Sequence, residues 1–78
     1  MQSSDKLVMM ANQIVRNLTV QGDDKAVVLA ADHMRKFWEP RMRAHMRAHY
    51  EAGAAGLTPL AKLAVEKLMK LESPENAA

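Results

Sequence analysis

DKAVVLAADHMRKFWEPRMRAHMRAHYEAG, residues 24–53, decides the fold. Val27, Ala30, Ala31, Met34, Phe37 and Trp38 recur every three or four residues, the spacing of one face of an amphipathic helix. Asp32 and Lys36 stand four apart on the opposite face, where an acid and a base support a helix. The pattern breaks at Glu39-Pro40. Proline has no N–H and disfavours the α conformation in the residue before it, yet it suits the first turn of a new helix. The stretch therefore predicts a helix, a corner, and another helix to about Ala52, with Gly53 and Gly56 making the next connection.

Upstream, Ser3 and Ser4 are candidate N-caps and Asp5 favours the positive end of a helix dipole. Leu7, Met10, Ala11, Ile14 and Leu18 form the stripe, flanked by Val8 and Val15, and Gly22 ends this helix near Gln21. Asp23 or Asp24 is the expected cap of the next. Downstream, Thr58-Pro59 is a start signal, a capping hydroxyl followed by proline at the first helical position. The last helix carries Leu60, Ala64, Leu68 and Leu71 on one side and Lys62, Glu66 and Lys70 on the other. Strand signals are missing. The expectation is an all-α protein, a small orthogonal or up-and-down bundle of about four helices, with a single domain over 1–71 and a frayed polar tail over 72–78.

Length and composition narrow the chemistry. At 78 residues the chain has room for one domain, and one this small buries only about 60% of the surface its unfolded form exposes. Without cysteine it has neither disulfides nor thiolate metal ligands, so helix packing or a partner must make up the difference. The longest apolar runs fall far short of a membrane span, and the N-terminus lacks the pattern of a secretory signal. Together these point to a cytoplasmic protein with no membrane partner. The net charge is +2, but His33 to Tyr50 holds five bases (Arg35, Lys36, Arg41, Arg43 and Arg47) against Glu39 alone, a local +4. That is a concentrated basic field.

No catalytic centre emerges. Ser3, Ser4 and Ser73 lie at the expected termini, Asp23-Asp24 reads as a solvated cap, and Gly53 and Gly56 do not follow a strand or carry the lysine of a phosphate loop. His45 and His49 share a helix face at four-residue spacing, but a metal site needs a third ligand, which His33 would supply only through packing. Neither a metal nor a cofactor is expected in this chain. Arg43 and Arg47 share a face that could track phosphates, so nucleic acid is the alternative partner. However, the third helix holds no Asn or Gln to read bases.

The most distinctive run is Phe37-Trp38-Glu39-Pro40-Arg41-Met42, which joins two of the three aromatics to a rigid corner and arginine. Trp and Arg are the types most enriched at interface hot spots. On a helical wheel Phe37 and Trp38 lie about 100° apart, at opposite edges of the apolar face, so one can anchor the core while the other stays available. Met9, Val20, Val28 and Leu29 also fall outside the self-packing stripes, a hint of surface that needs covering. Self-association of the free chain is left open.

Three segments carry a family resemblance: Leu7 to Arg16 (LVMMANQIVR), Ala31 to Arg43 (ADHMRKFWEPRMR) and Gly53 to Leu68 (GAAGLTPLAKLAVEKL). In this order they resemble the small delta subunit of the NAD-dependent, molybdenum- or tungsten-containing formate dehydrogenases. The matching residues are Met10, Ala11, Asn12, Gln13, Ile14, His33, Phe37, Trp38, Pro40, Arg41, Met42, Arg43, Gly56, Leu57, Pro59 and Leu60. Met34 stands where Leu is usual, a change that conserves volume. The resemblance implies a non-catalytic subunit that supports assembly, stability or cofactor loading of a complex whose large subunit holds the molybdenum cofactor. It leaves Asn12, Gln13, His33, Phe37, Trp38, Pro40, Arg41, Met42, Arg43 and Arg47 as the candidate partner-binding set.

Overall fold

A computed structural model describes residues 4–72. Four helices make up the fold: α1 (Ser4–Leu18), α2 (Asp23–Phe37), α3 (Pro40–Glu51) and α4 (Pro59–Glu72), with one 3₁₀ turn, Thr19–Gln21, tightening the exit from α1. No strand occurs among the described residues. The expected all-α bundle is what forms, with a radius of gyration of 11.6 Å. The serine at position 3 and the tail from 73 onward lie outside the described residues. Helix α4 itself runs through Glu72, one residue beyond the expected domain end.

Helix α2 is the centre of the bundle. It lies most extensively against α4 and then against α1, while α3 folds back over α1 and α4. Both α2 and α4 bury small side chains, Ala26, Ala30 and Ala31 on one and Ala61 and Ala64 on the other. Small residues let helix axes approach closely. Leu7, Met34, Met46, Val65 and Leu68 fill the remaining interior.

The stripes shift by about one residue from the sequence expectation. In α1 the buried positions are Leu7, Val8, Ala11 and Val15, with Met10, Ile14 and Leu18 half-buried beside them. Three other helices touch α1, so its covered face is wider than one stripe. In α4, Ala61 and Val65 join Ala64 and Leu68 inside, whereas Leu71 is left exposed. Phe37 departs furthest: it ends α2 and stands outside the core.

Helix ends follow local chemistry, with two corrections. Gly22, not Asp23 or Asp24, occupies the cap position of α2 and makes no side-chain cap bond, while both aspartates sit in the first turn near the dipole's positive end. Ser4 lies within α1 and its Oγ meets His45 Nε2 at 3.0 Å. The Thr58-Pro59 start is as expected: the Ala61 N–H donates to Thr58 Oγ1 at 3.2 Å. The break at Glu39-Pro40 also forms, with Trp38 (ψ 140) and Glu39 (ψ 152) extended and Pro40 opening α3.

Candidate functional site

The corner between α2 and α3 gathers most of the candidate residues. Because Trp38 leaves the helix in an extended conformation, the helical-wheel direction no longer applies to it, and its ring turns into the core at 5% exposure. Phe37, the last helical residue, remains 71% exposed. Its ring stacks at a tilt on His33, with centroids 4.9 Å apart. Phe37 and His33 border a shallow groove on the flank of α2 whose walls include Leu18, Leu29 and Lys36. Of the two aromatics, Trp38 is thus the buried one and Phe37 the exposed one.

Arg43 holds this corner in place. Its guanidinium donates from Nη1 to the Trp38 carbonyl and, at 3.2 Å, to that of Arg35, carbonyls at the end of α2. Its Nε donates to Glu72 at the end of α4. One side chain therefore ties three helices and satisfies carbonyls that a helix end leaves without partners. Arg47, one turn on, reaches Glu72 at 4.0 Å. Met42 is half-buried against the core, and Pro40 and Arg41 are exposed.

The other cations of the corner are partly neutralised. Asp32 accepts from Lys36 at 3.0 Å and from Arg35 at 3.2 Å. These hydrogen bonds, that of Lys36 first, hold the Asp32 carboxyl below its ordinary range. Arg41 makes no ion pair among the described residues and is exposed four residues after Phe37.

Asn12 and Gln13 are elsewhere. Asn12 clasps the loop before α4, donating from Nδ2 to the Gly56 carbonyl and accepting the Thr58 N–H at Oδ1, both at 3.0 Å. Gln13 is exposed in a groove between α1 and the start of α4. The clasp places Gly56 against α1: its φ is +84°, and a Cβ there would lie 3.2 Å from Val8 Cγ1. The ten candidates thus divide between an outward corner (His33, Phe37, Pro40, Arg41, Arg47), its supports (Trp38, Met42, Arg43) and a separate clasp and groove (Asn12, Gln13).

Sequence reasoning missed the acids that complete these contacts. Glu72, expected in the polar tail, ends α4 and faces Arg43 and Arg47, two arginines four residues apart on α3. Glu66 accepts from the Tyr50 hydroxyl, and this bond, with burial second, raises the Tyr50 pKa above its ordinary value. The two histidines of α3 are occupied separately, His45 with Ser4 and His49 with the Ala55 carbonyl at 2.8 Å. Among the described residues no three His, Asp or Glu side chains converge on a metal-sized site.

Residues 6–65 match the model of the NADH-dependent formate dehydrogenase delta subunit family. The chain belongs to that family. No curated protein and no solved structure is significantly similar to it. The matched stretch contains the corner, the Asn12 clasp and the Thr58-Pro59 helix start. As a family member the chain is a subunit of an oxidoreductase complex, and no described helix is long and apolar enough to cross a membrane.

Proposed function

We propose that the chain is a non-catalytic accessory subunit that docks on the large, molybdenum-cofactor-bearing subunit of a cytoplasmic formate dehydrogenase and supports assembly, stability or cofactor loading. The observation that carries this reading is the presentation of Phe37. An aromatic ring 71% exposed at a helix tip, with the exposed Arg41 four residues on in sequence, is costly to leave in water. An aromatic anchor with an adjacent arginine is also the usual composition of a binding hot spot. Trp38 and Arg43 contribute by fixing the corner's shape before the partner arrives, which lowers the ordering cost of binding.

The nucleic-acid reading loses ground on one detail. Arg43, half of the supposed phosphate-tracking face, has its guanidinium committed to two carbonyls and Glu72. The test is affinity purification of the tagged chain from its native cells, read by mass spectrometry and by formate-dependent NAD reduction. Co-purification of formate dehydrogenase subunits in fixed ratio with activity is the expected result. Recovery of nucleic acid, or of the chain without those subunits, would refute it.

A further inference from the structure

The groove between α1 and the first turn of α4 shares no lining residue with the groove beside Phe37 and has a charge pattern of its own. Its α1 wall is formed by Asp5, Val8, Met9, Asn12, Gln13 and Arg16. Met9 is 53% exposed in the middle. Asp5 in the first turn and Arg16 in the last mark the two ends, and neither forms an ion pair among the described residues. At 1.5 Å per residue these opposite charges are about 16 Å apart along the helix.

An occupant helix running antiparallel to α1 would bring its first turn to Arg16 and its last turn to Asp5. It therefore needs an acid early and a base late, and α1 is itself such a helix. Inverting the order about the midpoint between Met10 and Ala11 exchanges Asp5 with Arg16, Val8 with Gln13 and Met9 with Asn12. A two-fold axis through that point makes the charged ends of the wall complementary to one another, as an isologous interface requires. It brings opposite charges together at both ends and the two Met9 side chains together near the middle. Leu60 and Pro59 at the start of α4 form the other wall of each groove.

We infer that this groove is a docking site for a second copy of the chain, seated α1 against α1 in antiparallel register. The inference does not depend on the proposed docking to the large subunit, which rests on different side chains.

Sedimentation equilibrium of the full chain at low salt, across a concentration series, reads the association directly. The expected result is a reversible monomer–dimer equilibrium, weakened by salt. Arg16→Asp places acid against acid twice by symmetry, and Asp5→Arg places base against base twice. Each should weaken dimerisation by about tenfold or more. Mixing these two variants restores both complementary pairs, so the mixture should associate as the parent does, with circular dichroism confirming that each variant is folded. Met9→Glu should abolish the dimer without such rescue. A chain that stays monomeric throughout, or a dimer indifferent to these substitutions, overturns the inference. So does a monomeric chain whose Met9→Glu variant is lost from the enzyme complex, because the groove then takes a helix of another subunit.

Discussion

Phe37 and Trp38 are adjacent in sequence and opposite in environment: the phenyl ring is 71% exposed and the indole 5%. The switch arises because α2 ends between them. Their truncations should therefore separate. Phe37→Ala removes an exposed ring and should leave stability within about 0.5 kcal/mol of the parent. Trp38→Ala should cost about 3–5 kcal/mol, a large share of what a domain of this size possesses. Urea unfolding of the two variants checks the contrast, and equal destabilisation would show that the corner is built differently.

The Arg43 tie predicts a chemical asymmetry. Arg43→Ala should destabilise by about 2 kcal/mol, the scale of hydrogen bonds to charged groups. Arg43→Lys should recover little, because an ammonium lacks the planar fork that reaches Glu72 and two carbonyls together. Full rescue by lysine in thermal unfolding would reduce the contact to simple charge attraction.

Asn12 should act on a loop that is distant in sequence. In Asn12→Ala the Thr58 N–H loses its acceptor and the Gly56 carbonyl its donor. Hydrogen exchange at Thr58 should accelerate markedly, while exchange in the middle of α2 changes only with global stability. Gly56→Ala attacks the same junction from the other side, combining an unfavourable φ of +84° with contact against Val8. It should cost about 1–2 kcal/mol.

Tyr50 supplies a pH prediction. Its folded pKa is raised, chiefly by the hydrogen bond to Glu66, so the neutral phenol is favoured in the folded state. The associated stability is fully present below the unfolded value of about 10 and is lost as pH rises through the higher folded value. In Tyr50→Phe the alkaline part of the stability profile should be flatter. An unchanged profile above pH 10 would show that the bond to Glu66 is not maintained in solution.

Much of this was legible in the sequence, for physical reasons. Pro40, Gly53, Gly56 and Thr58-Pro59 act locally, so the helix boundaries could be read within a few residues. The Asp32–Lys36 pair, set by helical spacing alone, also formed. What could not be read depends on packing across helices. Nothing in the one-dimensional pattern says that Trp38 leaves the helix and turns inward, that Asn12 reaches a loop more than forty residues away, or that α4 brings Glu72 to Arg43. The family was legible for another reason: the run around Phe37–Arg43 is distinctive in itself, and the match over residues 6–65 agrees with it.

Under the proposed function, the corner that carries Phe37 and Arg41 binds the large subunit of the enzyme. Isothermal titration of the purified large subunit with the parent chain and with a Phe37→Ala/Arg41→Ala variant tests it most directly. The variant should remain folded by circular dichroism and bind at least about a hundredfold more weakly, the loss expected of two hot-spot side chains. Binding unchanged from the parent, by a variant that is equally well folded, would contradict the account.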